Sequence, residues 1–536
     1  MTATEVTPYR SQAGPGHDGF AQLVRSEWTK LRTVRGWVIA LVLAVLLTVL
    51  FGVLTAVGGM ISCQNGPDGV AQSGAACRQV PPLGPGGEAV TDSGYLVHRT
   101  LAGDGAITVR VSSLTGLYSA GGGIDPNAGT SGMTSGTQPW SKAGIIIRQS
   151  TAQGSAYAAM MVTGGNGVRM QYDFTHDIAG EPGAVTPATP RWLRLMRSGD
   201  VVTGYDSADG VQWTRVGSAT LPGLAANVQV GMFAASPDYV LTSTSFGGSS
   251  SQGGPSLATG VFDHVTLLGD SAGGTWSGAL TDGGGPFGQA LGPALGFQQS
   301  GGAFTVTGTG DIAPQGGQGA GRPAEESLVG VFAGLIAVIV VAALFITAEY
   351  RRGLIRLTLA ATPGRGRVLA AKAVAVGGAA FVVGLVAAGI CLPLADHLAY
   401  NHGQYVLPIS TATEVRLIVG TALMFAFVAI FALGVGTLLR RGAAAVTVGI
   451  VVTVLPYVLT VASVFPAGTG LWLARLTPAA AFAVQQTLVQ YPQITASYTP
   501  VEGYFPLAPW AGLAVLGGYA ALALGLALLR LRRRDA

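Results

Sequence analysis

Charge is the scarcest property of this chain. Only 10% of its 536 residues are Asp, Glu, Lys or Arg, against roughly 25% in an ordinary soluble domain. With a mean hydropathy of +0.47, that places the chain among membrane proteins. Lysine is almost missing: Lys30, Lys142 and Lys372 are the only three among 30 basic residues. A nucleotide-binding P-loop needs glycine directly before its lysine, so that backbone amides can cradle phosphates. Here Thr29, Ser141 and Ala371 hold those positions, so the chain has no ATP loop of its own. Cysteine is equally sparse. Cys63, Cys77 and Cys391 form no C-x-x-C or Cys/His spacing for zinc, and we expect no metal. Cys63 and Cys77 share one polar segment, where a disulfide and two free thiols are the alternatives. Six apolar runs lack Asp, Glu, Lys, Arg and His altogether. Ion-coupled carriers usually need ionisable groups inside the membrane, so the energy source for any transport lies elsewhere.

The charge that is present is unevenly placed. Residues 61–326 hold 18 acidic and 11 basic residues, whereas residues 327–536 hold 5 and 14. The pI of about 9.0 does not point to nucleic acid, because the bases collect beside apolar runs, where membrane topology explains them. Residues 1–19 are polar, with Pro and Gly, and read as a disordered tail. Phe20, Leu23, Val24, Trp28, Leu31 and Val34 then recur at helical spacing, with Arg25, Lys30, Arg32 and Arg35 away from or bordering that stripe. This predicts an amphipathic helix over 20–36, lying on the membrane face. Trp37–Gly59, Ser327–Ala348, Ala373–Ala395, Leu417–Leu439, Ala443–Phe465 and Leu507–Leu529 are each long enough to cross a core about 30 Å thick. Positive charge flanks them so that both termini are expected inside and residues 61–326 outside. Pro456 predicts a kink in the fifth span.

The stretch Glu349–Lys372 carries the most specific signal. Arg351, Arg352, Arg356, Arg365, Arg367 and Lys372 sit between two spans with the single acid Glu349, and Thr362-Pro363-Gly364 breaks a short amphipathic helix. Glu349-Tyr350-Arg351, Gly353, Ile355-Arg356, Ala361-Thr362-Pro363 and Arg365-Gly366-Arg367 resemble the loop between the second and third spans of bacterial ABC-2 type permeases, with Leu354 where the family often has Thr. Ser26-Glu27-Trp28-Thr29-Lys30-Leu31-Arg32 resembles the entry to those permeases. Leu473-Ala474-Arg475-Leu476-Thr477-Pro478 with Gln485-Gln486 resembles their last outer loop, a short helical hairpin. We read residues 471–489 as a helix at the outer interface. The resemblance covers about residues 20–60 and 327–536. It implies a coupling loop on an ATP-binding subunit that carries ATP-Mg, with Glu349, Arg352, Gly353 and Arg356 as coupling residues. It also implies Glu27, Trp28, Lys30 and Arg32 on the interfacial helix, a homo- or heterodimer of permeases, and a multi-pass place in a bacterial plasma membrane.

Residues 61–326 read differently. Short alternating stretches such as Ile107–Val111, Gly144–Arg148, Ala158–Val162, Trp192–Arg197 and Val228–Phe233 predict an all-β sandwich. Ser198-Gly199-Asp200 and Ala208-Asp209-Gly210 are expected hairpin turns. Trp140-Ser141-Lys142-Ala143-Gly144, Trp192-Leu193-Arg194-Leu195 and Trp213 resemble a concanavalin A-like, laminin G-like jelly roll over about 95–268. Residues 269–326 are Gly/Ser-rich and read as added strands or a linker. Alternation places Trp140, Trp192 and Trp213 in the core rather than against a sugar. Gly269-Asp270-Ser271-Ala272-Gly273 fits G-x-S-x-G but lacks the strand–turn–helix context a nucleophile needs, and no catalytic residue is expected. Asp173, His176 and Asp177 read as a solvated loop. The fold class is therefore six transmembrane helices plus an extracytoplasmic β-sandwich. Two functions fit: an ABC-2 type exporter subunit, or a membrane-anchored module binding glycan or cell wall.

Overall fold

The computed structural model describes residues 19–59, 62–63, 72–78, 80–120, 130–245, 248–270, 274–282, 291–316, 321–361, 364–495, 498–500 and 503–533. The N-terminal tail and Ser271–Gly273, which completes the G-x-S-x-G match, lie outside these residues.

Among the described residues, six helices are long and apolar enough to cross a membrane. The first runs from Arg35 to Gly58 and the second from Val331 to Arg351. The third extends over Arg365–Asn401, well beyond the apolar run Ala373–Ala395. Its early turns, Arg-Gly-Arg-Val-Leu-Ala-Ala-Lys, are mostly good helix formers, so the basic segment continues the helix instead of looping. The fourth is Thr411–Leu439 and the sixth Pro509–Arg533. The fifth is broken into Gly442–Thr453 and Leu455–Val461. Pro456 sits in the first turn of the second piece, where its missing N–H costs nothing. Glycines set the packing: a Cβ on Gly384 would lie 2.8 Å from Ala422 Cα, and one on Gly434 2.8 Å from the Ala523 carbonyl carbon. The third, fourth and sixth helices therefore approach backbone to backbone.

The segment expected at the outer interface divides in two. Ala467–Leu476 is a helix, but Pro478–Gln485 is a 3-10 turn buried at every residue. It dips back among the helices, where Gln485 Nε2 donates to Thr421 Oγ1 at 2.9 Å and the Phe482 ring stacks on Tyr457 at 3.7 Å. Small residues (Pro-Ala-Ala-Ala) make that insertion possible, and Gln485 satisfies the polarity it brings.

Between the first and second spans stands an antiparallel β domain. Its spine is the 24-residue strand Tyr95–Tyr118. Along one edge it pairs with Asn227–Ala234 and then with Arg191–Arg197; along the other it pairs with Ser256–Asp270 and Ser277–Leu280. The edge partners change at Ala102–Gly105, where Gly103 takes φ +66°, a conformation glycine adopts freely. The strands continue through Lys142–Arg148, Tyr157–Thr163, Val168–Tyr172 and His176–Ala179 into a nearly closed sheet. Its main core includes Val97, Ile107, Ile145, Met160, Leu193 and Val230. Gly199 makes the expected hairpin between Arg191–Ser198 and Val201–Ser207. The Gly/Ser-rich stretch supplies Gly296–Ser300, Ala303–Gly308 and Ile312–Pro314, all paired.

Lys142–Arg148 and Tyr157–Thr163 are buried on both faces. The second face is covered by Val90, Phe174 and Ile312. This layer also buries two ion pairs, Lys142 Nζ–Asp311 Oδ1 at 2.5 Å and Arg148 Nη2–Asp92 Oδ2 at 2.7 Å. The tryptophans differ from expectation. Trp140 is buried, yet Trp192 and Trp213 are half-buried outside the main core. Guanidinium groups cover them, with Arg110 5.9 Å from Trp192 and Arg194 3.9 Å from Trp213. Cation–π contact replaces hydrophobic burial there. Asp177 is taken by Arg169 and by Gln171 at 3.0 Å. His264 stays exposed, 2.9 Å from Asp263.

The domain is tied to the helices. Arg322 Nη1 donates to the Thr55 carbonyl and Gln404 Oε1, each at 3.2 Å. The buried Gln493 donates to the Phe174 carbonyl at 3.2 Å. Cys77 is disulfide-bonded, and Arg78 beside it lies 3.2 Å over the Tyr400 ring. The side chain of Cys63 lies outside the described residues.

Candidate functional site

The end of the bundle far from the β domain carries the unusual chemistry. The amphipathic helix Phe20–Thr33 buries two residues, Glu27 and Leu31. They are one turn apart on one face, and that face packs on the third span. Glu27 is 1% exposed. Such burial of a carboxylate is costly unless the charge is paired. The pairing comes from Lys372, near the start of the third span and wholly buried. Lys372 Nζ lies 2.7 Å from Glu27 Oε2 and 2.6 Å from Glu349 Oε1. Lys30 completes the group, 2.7 Å from Glu27 Oε1 and 3.3 Å from Glu349 Oε1. The Phe345 ring, one turn before Glu349, lies 5.0 Å from Lys372 Nζ. Two acids and two bases cancel, so the cluster is neutral as a unit. Burial pulls the Lys30 pKa down, but its hydrogen bonds and charge interactions with Glu27 and Glu349 outweigh that and hold it above the usual lysine value.

This cluster joins three pieces of chain distant in sequence: the amphipathic helix, the end of the second span and the start of the third. Glu27 and Glu349 are the only acids in Phe20–Arg35 and Glu349–Lys372, and both are consumed inside it. What faces outward there is therefore basic. Arg25, Arg32, Arg35, Arg351 and Arg352 are all exposed.

Beyond Glu349 the second span ends at Arg351. Gly353 follows with φ +69°, exposed, and the chain turns into the short helix Leu354–Ala361. Ile355 is buried beneath it, while Leu354 and Leu357 are 42% and 68% exposed. The helix thus presents two apolar side chains beside the exposed Arg351 and Arg352. Arg356 lies on this helix, its side chain outside the described residues. Thus Arg352, Gly353 and the Arg356 backbone share the protruding element, while Glu349 is turned inward. Trp28 is 42% exposed and Arg32 is exposed on the amphipathic helix. Lys372 is one of the basic residues of the Glu349–Lys372 stretch, but the sequence did not mark it as a coupling residue. Its place directly before the apolar run Ala373–Ala395 was the available signal.

Elsewhere at this end, arginines cap helix C-termini, where carbonyls lack partners. Arg365 Nη1 reaches the Leu531 carbonyl at 2.6 Å, and Arg530 reaches that of Leu438. The Arg440 guanidinium lies 5.1 Å from the Tyr350 ring.

Comparison with known proteins adds the following. The family described as ABC-2 family transporter protein matches residues 174–536, more than half the chain. That range includes the protruding helix, five of the six spans and the later part of the β domain. No curated protein matches. Among solved structures, a functionally unknown protein from Saccharomyces cerevisiae is 15% identical over 36% of this chain and 84% of its own, with a TM-score of 0.20. SCP-B, a member of the eqolisin family of peptidases in complex with the tripeptide Ala-Ile-His, is 6% identical over 42% and 100%, with a TM-score of 0.22. Scytalido-glutamic peptidase with a transition state analog inhibitor is 8% identical over 42% and 100%, with a TM-score of 0.23.

Proposed function

This chain belongs to the ABC-2 transporter family and is a multi-pass membrane protein, and from that premise we propose that it is the permease subunit of an ATP-driven exporter. A separate ATP-binding subunit, carrying ATP-Mg, docks on the loop end of the bundle. That end faces the cytoplasm of a bacterial cell, with both termini, and the β domain stands outside. Two permease chains, identical or different, form the working unit.

The observation that supports this best is the neutral cluster in which Glu27, Glu349 and Lys372 are buried and Lys30 is half-buried, behind the helix Leu354–Ala361. The helix Leu354–Ala361 offers the contact, with Arg352 at its base. Gly353 is the joint between it and the second span. The cluster then makes one body of the amphipathic helix and the second and third spans. A push on the protruding helix therefore moves all three together, because separating Lys372 from either carboxylate strands a buried charge. Glu349 acts in this scheme by positioning and Arg352, Gly353 and Arg356 by contact. The β domain, of concanavalin A-like type on the residues that resemble it, would meet material outside the cell.

Affinity purification of the intact chain from native membranes in mild detergent, followed by mass spectrometry, tests the reading. A stoichiometric P-loop ATPase that is lost from an Arg352→Glu, Leu357→Asp variant supports it. Recovery without any ATPase, with cell-wall material bound to the β domain, overturns it in favour of an anchored binding module.

A further inference from the structure

The opposite end of the bundle holds a cavity that coupling to an ATPase does not require. Its volume is about 190 Å³, and it lies between the ends of the first, second and fifth spans and the returning segment Pro478–Phe505. Three aromatic rings line it in near-parallel array. Tyr457 and Phe482 stack at 3.7 Å, and Phe505 lies 6.4 Å from Tyr457 and 6.3 Å from Phe482. Their planes differ by 16°, 10° and 21°. Glu325 lines the same cavity. Its Oε2 accepts the Thr487 hydroxyl, but its Oε1 is buried and takes no hydrogen bond from the described residues. Gly503 lies alongside, with φ +85°, and a Cβ there would stand 3.0 Å from that oxygen.

A buried carboxylate oxygen without a partner is costly, and this one, unlike those of Glu88, Asp206 and Glu349, faces the cavity. Two guanidinium groups of this region bond elsewhere: Arg322 pairs with Glu326 at 3.3 Å and with Thr55 and Gln404, and Arg416 donates to the Gln486 carbonyl at 2.6 Å. A carboxylate facing a small aromatic-walled space is the arrangement that recognises ammonium groups, through charge and through the ring faces together. An anion would meet Glu325, and a neutral apolar guest would leave Oε1 unpaired.

We propose that this cavity binds a compact organic cation bearing a substituted ammonium group, with Glu325 as the counter-ion and Tyr457, Phe482 and Phe505 as the aromatic wall. The same ammonium chemistry is offered by a free solute and by a zwitterionic lipid headgroup.

The test is isothermal titration calorimetry on the full-length chain in maltoside detergent. Three probes are used: choline, its neutral isostere 3,3-dimethyl-1-butanol, and dihexanoyl-phosphatidylcholine below its micelle concentration. Saturable binding of choline is expected, at least tenfold tighter than the isostere. It should weaken at least tenfold in Glu325→Gln and several-fold in Phe505→Leu, the second variant serving if the first does not fold. Choline binding without the phospholipid identifies a soluble cation; tighter phospholipid binding identifies a headgroup, and both support the site. No saturable choline heat, equal affinity for the isostere, or unchanged affinity in both variants overturns it. These outcomes are independent of whether an ATPase co-purifies.

Discussion

Replacing Lys372 by Met keeps the length of the side chain and deletes its charge. In the native protein this ammonium holds two carboxylates, at 2.7 and 2.6 Å. Charges about 4 Å apart interact by about 4 kcal/mol at an effective dielectric near 20, but most of that offsets the cost of taking the charges out of water. The measurable loss on removing one partner of a buried pair is about 3–5 kcal/mol. Lys30 stays behind, its side chain 41% exposed, and recovers part of it, so we expect about 3 kcal/mol for Lys372→Met. The contrast that identifies the cluster is the double variant. Glu349→Gln with Lys372→Met removes both charges, and its cost should fall short of the summed single costs by at least about 1 kcal/mol. The assay is reversible unfolding of the full chain in mixed micelles, followed as a double-mutant cycle. Additivity within about 0.5 kcal/mol, or a Lys372→Met chain as stable as the native one, would refute the cluster as a structural unit.

Other perturbations separate the remaining parts of the account. Gly353→Ala places a side chain at φ +69°, a strain of about 1–2 kcal/mol; the chain should insert normally but lose stimulation of ATP hydrolysis by the partner, read in proteoliposomes. Gly434→Val drives a side chain onto Ala523 2.8 Å away, and overpacking of about 1–3 kcal/mol should lower the unfolding midpoint. Maleimide labelling should find no reactive thiol in the native oxidised chain and one after denaturation, Cys391, because Cys77 is disulfide-bonded and Cys391 is buried. Where the β domain meets the returning segment, burial raises the pKa values of Glu88 and Asp173, and the charge of Asp173 adds to the rise at Glu88. A carboxyl raised on folding binds its proton more tightly in the folded state, so its stabilising contribution is full below the unfolded value and lost as pH rises through the folded one. The protection factors for hydrogen exchange at Tyr157 and Phe174, corrected for the intrinsic pH dependence of exchange, should therefore rise from pH 7 towards pH 4.5, and Glu88→Gln with Asp173→Asn should flatten that dependence.

Much of this organisation is readable from residue order, and the exceptions have physical causes. The spans were legible because apolar runs of that length have few other uses, and Pro456 marked the break in the fifth. The β domain was legible from alternation, down to the turn at Gly199. Alternation fails where both faces are covered, as in Lys142–Arg148, because the covering pieces around Val90 and Ile312 are remote in sequence. The half-buried Trp192 and Trp213 were misplaced for a related reason: period-2 patterning tells which face a residue is on, not whether arginine covers it. Pro478–Gln485 looked like an interfacial helix because small apolar residues read alike at an interface and in a core. At the candidate site, Glu349 and the amphipathic helix were visible, yet their junction was not. Lys372 lies 345 residues from Glu27, and no local period reports that contact.

The central claim is that the helix Leu354–Ala361 receives an ATP-binding subunit. A photo-crosslinking amino acid placed at Leu357, with a control at Val211 on the β domain (79% exposed), tests it in intact cells. The account predicts that position 357 captures a P-loop ATPase and position 211 does not. Capture of the ATPase from 211 and not from 357, or of none from either, would contradict it.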